Sequence, residues 1–297
     1  MSDTKEIQGI ITAIITPFKD NKVDKKAYQS LVEMQIKAGI SGIVPCGTTG
    51  ESATLDFDEH EMLIDYTLEL VNRRMTVIAG TGSNNTKEAI KLTAHAKKAG
   101  ADAALTITPY YNKPTQNGMF EHFRAIAEAV DIPLILYNVP GRTGVNMLPE
   151  TVARLSEIKN IIGIKEATGS LQQVTETMKL CRKGFIVLSG DDFTALPSIA
   201  IGAKGVISVT SNIVPAEMVE MFRAYKSGTM QKAIDINLKL WPLHTAMFIE
   251  SNPIPVKAAA HLRGWISNEI RLPLTPMAGS NLNKLKTAMT ELGLING

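Results

Sequence analysis

Apolar residues arrive along this chain in two alternating rhythms. Short β-branched runs open near Gly9, Ser41, Thr76, Ala103, Pro133, Ile161, Phe185 and Gly205, each of a length that suits a strand. Between the early runs, residues 25–38, 58–72, 86–99 and 118–129 carry apolar positions at three- and four-residue spacing and predict helices. Ala38-Gly39, Ala99-Gly100 and Ile201-Gly202 each place a glycine where a helix stops before the next strand. This alternation predicts βα units around a parallel sheet, and eight strands is the number that closes a (β/α)8 TIM barrel. An open doubly wound sheet is the competing fold. It lacks its phosphate-binding signature, because Gly80-Thr81-Gly82 continues as Ser83-Asn84-Asn85 without a third glycine.

After Pro215 the pattern stays helical, through 218–225, 230–248, 255–263 and 281–292. The expectation is an α/β protein with a catalytic barrel over 1–230 and a small C-terminal helical bundle over 231–297, without a Ser/Gly-rich linker between them.

Composition narrows the functional classes. In 297 residues, 44% hydrophobic and 20% charged content fits a folded globular chain and argues against disorder. Lys+Arg 31 against Asp+Glu 29, with no basic run, argues against nucleic acid as a partner. Residues 10–18 follow Asp3 and Glu6 and end in Pro17-Phe18-Lys19-Asp20, so they read as the first strand and not as a leader. No stretch approaches the roughly 18 apolar residues of a membrane span. Cys46 and Cys181 build neither a disulfide framework nor a zinc site, which suits a reducing cytoplasm. His60, His95, His122, His244 and His261 are scattered, so no metal is expected.

Active sites of such barrels lie at the C-terminal strand ends. There Lys165 closes the run Ile161-Ile162-Gly163-Ile164, and strand alternation puts Ile161, Gly163 and Lys165 on one face. A strand-end lysine either snorkels to water or presents an amine inside; imine chemistry needs that amine neutral. The other strand ends carry Gly47-Thr48-Thr49-Gly50-Glu51, Thr108-Pro109-Tyr110-Tyr111, Tyr137-Asn138 and Ser189-Gly190-Asp191-Asp192. Threonine hydroxyls and glycine N–H groups suit a small carboxylate, although the same residues serve ordinary turns. Tyr111 and Tyr137 are core or interface aromatics, or proton relays beside the amine. Arg142, in Pro140-Gly141-Arg142-Thr143-Gly144, is either solvated or a bidentate carboxylate ligand. The Asp191-Asp192 pair reads as a loop or a helix cap, not as a metal site.

Gly47-Thr48-Thr49-Gly50-Glu51-Ser52, Tyr137-Asn138-Val139-Pro140 and Gly163-Ile164-Lys165-Glu166-Ala167-Thr168-Gly169 together resemble the dihydrodipicolinate synthase and N-acetylneuraminate lyase family of class I aldolases, over nearly the whole chain. Thr48-Thr49, Thr108 to Tyr111, and Arg142 with Thr143 resemble the branch that condenses pyruvate with L-aspartate 4-semialdehyde on the way to diaminopimelate and lysine. The resemblance implies that no cofactor is needed, pyruvate being held as an imine on Lys165. It implies that Tyr137 moves protons, that Thr48 links Tyr137 to Tyr111, and that Tyr111 arrives from a neighbouring subunit. Thr49 and the Ile207 backbone would hold pyruvate, Gly190 would share that pocket, and Arg142 would hold the semialdehyde carboxylate. A dimer of dimers is implied as well. So is a regulatory L-lysine pocket at Ser52, Ala53, His60, Asn84, Glu88 and Tyr110, with Phe57 where several lysine-inhibited relatives carry histidine. The alternatives are an aldolase for N-acetylneuraminate or a 2-keto-3-deoxy sugar acid, and a silent barrel that senses pyruvate or an amino acid. Loss of the lysine or the tyrosines would mark the silent barrel, and all are present.

Overall fold

The computed structural model describes residues 7–296. Its strands are β1 (Gly9–Ala13), β2 (Gly42–Val44), β3 (Thr76–Gly80), β4 (Ala103–Ile107), β5 (Leu134–Asn138), β6 (Ile161–Glu166), β7 (Ile186–Ser189) and β8 (Gly205–Ser208). They close a parallel barrel in the order β1-β8-β7-β6-β5-β4-β3-β2, the (β/α)8 architecture that the alternating pattern predicts. All eight begin within a residue of their expected positions. Among the described residues no helix is long and apolar enough to cross a membrane.

The chain divides into two compact units, one built on Thr76–Ile207 and the other on Ile10–Met75 with the chain from Ser208 onward. In the first, α3 (Thr86–Ala99), α4 (Gln116–Ala129), α6 (Pro149–Ser156) and α7 (Leu171–Leu180) alternate with strands β3 to β7. Leu134, Leu136, Ile164 and Val187 pack with Phe123, Ile126, Val152, Leu155 and Val174 in one buried cluster, each full burial worth about 1.5 to 3 kcal/mol. Because Ile164 and Val187 face this helix layer, alternation turns Lys165 and Leu188 the other way, towards the barrel interior.

In the second unit, α1 (Lys25–Ala38) starts at Asp24, whose side chain accepts from the Ala27 N–H, and stops at Gly39 with φ 79. Helix α2 (Phe57–Val71) opens on a reciprocal capping box between Asp56 and Glu59. The C-terminal helices α9 (Pro215–Lys226), α10 (Met230–Ala246), α11 (Ile254–Leu262) and α12 (Gly279–Glu291) match the expected helical stretches. The expected helical stretches leave out α6 and α7, and a short hairpin also escapes the periodicity. Phe18–Lys19 and Lys22–Val23 form a two-stranded antiparallel hairpin around Asp20 and Asn21, whose φ values of 53 and 58 suit a tight turn between them. Its strands are too short to show a period of two.

Candidate active site

Lys165 lies on β6 and is 5% exposed, so it does not snorkel to water. The register pairs Tyr137 of β5 directly with Lys165, and Leu188 of β7 sits on its other side. The amine nitrogen is 4.2 Å from the centroid of the Tyr137 ring, and Tyr137 is itself 7% exposed. An amine and a phenol thus share one interior face at a strand end. Gly163 lies two residues before Lys165 on β6. A side chain there would place its Cβ 2.6 Å from the Ile186 carbonyl, so glycine is what lets β6 and β7 approach.

The opposite face of the same strand pair holds a buried carboxylate that no sequence motif assigns a role. Glu166, 2% exposed, accepts from Asn138 Nδ2 (3.2 Å to Oε2), the Thr168 N–H (2.9 Å) and Gln173 Nε2 (3.3 Å). Asn138 Nδ2 also reaches Asn146 Oδ1 (2.8 Å), its Oδ1 accepts from the Met147 N–H (3.0 Å), and Asn146 and Gln173 exchange amide hydrogen bonds. The network ties β5, β6, α7 and the segment after Arg142 together. Burial raises the Glu166 carboxyl above the usual range, against the pull of its amide and hydroxyl donors. Alternation carried the signal: Asn138 and Glu166 are paired polar residues on the helix-facing side, where an unpartnered polar group is costly.

The strand ends place the remaining candidates. The Gly190 N–H donates to the Glu166 carbonyl at 2.7 Å, and a Cβ on Gly190 would lie 2.4 Å from that of Ala167. Beyond it, Asp191 is half-buried; burial pushes its carboxyl up to about 6, with the Lys165 charge pulling down and Asp192 and Glu166 pushing up. Of the two expected roles, loop or helix cap, Asp191 takes the loop. Asp191 precedes the short 3-10 turn Asp192–Thr194, but its side chain makes no capping hydrogen bond. Arg142 is exposed on the single helical turn α5 (Pro140–Thr143), and Ile207 is fully buried on β8. Tyr111 is 89% exposed and holds a positive φ of 71, while Tyr110 is 37% exposed. Asn84 Nδ2 donates to the Tyr110 carbonyl (3.1 Å), and Glu88 accepts from Ser83 Oγ (2.8 Å). The lysine-bearing unit thereby brings Lys165, Tyr137, Gly190 and Asp191 to adjacent strand ends, and Asn84 to Tyr110.

The other unit holds Thr48, Thr49, Ser52, Ala53 and His60. Thr48 is half-buried and its carbonyl accepts from the Glu51 N–H. Thr49 is buried and its hydroxyl oxygen accepts from Asn252 Nδ2 at 2.9 Å. Ser52 and Ala53 start the 3-10 turn Ser52–Thr54, and His60 is buried on α2. Among the described residues no three His, Cys, Asp or Glu side chains cluster as metal ligands.

A buried lysine at a barrel strand end, paired in register with a tyrosine, defines the class of enzymes that use an amine as nucleophile on a carbonyl. The chain belongs to the dihydrodipicolinate synthetase family, which matches residues 6–292. It is 59% identical over 288 residues to the 4-hydroxy-tetrahydrodipicolinate synthase of Geotalea uraniireducens, covering 97% of this chain and 99% of that one. Among solved structures, the chloride-inhibited dihydrodipicolinate synthase of Acinetobacter baumannii complexed with pyruvate superposes with a TM-score of 0.95 at 50% identity, covering 98% of this chain and 100% of the other. The Cyanidioschyzon merolae enzyme with lysine bound gives 0.94 at 41% identity, with 97% and 99% covered.

Proposed function

We infer that the chain is a lyase of the Schiff-base type, condensing pyruvate with L-aspartate 4-semialdehyde to 4-hydroxy-tetrahydrodipicolinate at the entry to diaminopimelate and lysine synthesis. The observation that carries this reading is the Lys165–Tyr137 register pair, with the amine 4.2 Å from the ring. Lys165 attacks the pyruvate ketone and loses water to form an imine. Loss of a methyl proton gives the enamine, whose carbon adds to the semialdehyde. The semialdehyde nitrogen then closes on the imine carbon and expels the lysine amine. Tyr137 carries protons in these steps, with Thr48 relaying them to Tyr111. Thr49, the Ile207 backbone and Gly190 hold pyruvate, and Arg142 takes the semialdehyde carboxylate in bidentate fashion. The reaction needs no cofactor on this reading, and the cysteine usage favours a cytoplasmic setting.

Borohydride added with pyruvate should fix a reduced adduct on Lys165, located by mass spectrometry, because an imine is reducible and an ion pair is not. Turnover of pyruvate with aspartate semialdehyde, and none with N-acetylneuraminate, completes the test. Adduct on another lysine, or preference for the sugar acid, would sink the reading.

The same reading extends to assembly and regulation. An aromatic side chain held at positive φ with 89% exposure favours Tyr111 completing a neighbouring subunit's site in a homotetramer built from two dimers. The lysine-bound relative, with the Asn84–Tyr110 and Ser83–Glu88 bonds, favours L-lysine as an inhibitor at Ser52, Ala53, His60, Asn84, Glu88 and Tyr110. One preparation tests both: inactive Tyr111→Phe and Lys165→Ala proteins should regain activity on subunit exchange, and L-lysine should slow the recovered rate. No recovery despite exchange, or rates indifferent to millimolar lysine, would remove the corresponding part.

A further inference from the structure

Three acids stand at or just past the ends of β6 and β7, and their surroundings differ. Glu166 is held by three neutral donors, and Asp192 is fully buried. Asp191 keeps access to solvent, and among the described residues no hydrogen bond or ion pair engages its carboxylate. Yet its position is tightly set. Ser189 Oγ donates to its carbonyl at 2.9 Å and accepts from its N–H at 3.3 Å, one residue past the Gly190–Ala167 contact that locks β7 to β6. It lies in the electrostatic field of Lys165 without forming an ion pair with it.

A half-buried carboxylate that accepts no hydrogen bond loses hydration and recovers nothing for stability. That burial does not help the fold, so a further role has to outweigh its cost. The second substrate supplies one. It carries an α-ammonium as well as a carboxylate, and Arg142 answers only the carboxylate.

We propose that Asp191 is a specificity-determining residue for the aldehyde substrate, its carboxylate receiving the α-ammonium group while Arg142 takes the substrate carboxylate. This rests on the condensation reading above. It separates an amino-acid aldehyde from sugar aldehydes, which offer hydroxyls there, and from aldehydes that lack the amine. A charge-assisted contact of this kind accounts for discrimination of roughly tenfold to a hundredfold.

The test compares the wild-type chain with Asp191→Asn and Asp191→Ser, using L-aspartate semialdehyde as substrate and succinate semialdehyde, which keeps the aldehyde and carboxylate but lacks the amine, as competing inhibitor. Both variants should lose about 10- to 100-fold in kcat/KM for aspartate semialdehyde, chiefly through KM. The inhibition constant of succinate semialdehyde should change less than about twofold, and borohydride should still trap pyruvate on Lys165. Equal weakening of both aldehydes, or unaltered aspartate semialdehyde kinetics in either variant, overturns the proposal. Failure of the wild-type chain to use aspartate semialdehyde would instead overturn the underlying reading, so the two failures are distinct.

Discussion

Among the described residues two glutamates are buried, one in each unit, and their surroundings are opposite. Glu51 is ion-paired to buried Lys257 and also accepts from the Arg271 N–H at 3.1 Å. Lys257 lies over the Phe18 ring, 4.4 Å from its centroid, and burial pulls its amine down against the opposing pull of Glu51. Glu166 has only neutral hydrogen-bond partners. A countercation stabilises the charge more strongly, but it also adds a strong local field. Glu166 adjoins Lys165 in sequence and alternates to the other side of the sheet, so a cation bound to it would stand one strand thickness from the reacting amine. Amide donors hold the carboxylate with little field. The consequence is a carboxyl whose protonated form is favoured by burial.

The comparison is broken most severely on the ion-pair side. Lys257→Ala leaves Glu51 buried without its countercharge and should lower unfolding free energy by about 3 to 5 kcal/mol in urea titrations. Adding Glu51→Gln to Lys257→Met should recover much of that loss, because the uncompensated charge is gone. A single-variant loss below about 1 kcal/mol would mean that Glu51 acquires other partners or water, and the contrast with Glu166 would fail.

What could be read in advance follows the same division. Strands and helices were legible because periodicity is local, and Lys165 stood out because a cation ended an apolar strand. The Tyr137–Lys165 neighbourhood needed only register, which eight successive βα units nearly determine. The Glu51–Lys257 pair spans 206 positions, so no local pattern announces it. The hairpin at 18–23 is too short for a period, and the sequence neighbours of Asp191 suit a loop or a cap. Only the missing capping bond and the nearby lysine alter that view. Glu166 lies between these cases: its outward face was predictable, but its amide partners at 138 and 173 belong to two other elements.

The neutral side of the comparison should break more gently and with a pH signature. Glu166→Ala removes one acceptor from each of Asn138 Nδ2, the Thr168 N–H and Gln173 Nε2, a loss of about 1 to 3 kcal/mol. Glu166→Gln should cost less at neutral pH, although its single oxygen can serve only some of those donors. Burial raises the native carboxyl above its unfolded range, so the unfolded chain gives up its proton first as pH rises. The stability contributed by the protonated form is therefore fully present below the unfolded range and is lost as pH climbs through the raised native value. Glutamine has no such proton. The stability of Glu166→Gln relative to wild type should accordingly improve from acid towards neutral pH, measured as the difference in unfolding free energy across that interval. A flat difference, or one that worsens with pH, would mean that the amide donors outweigh burial at Glu166.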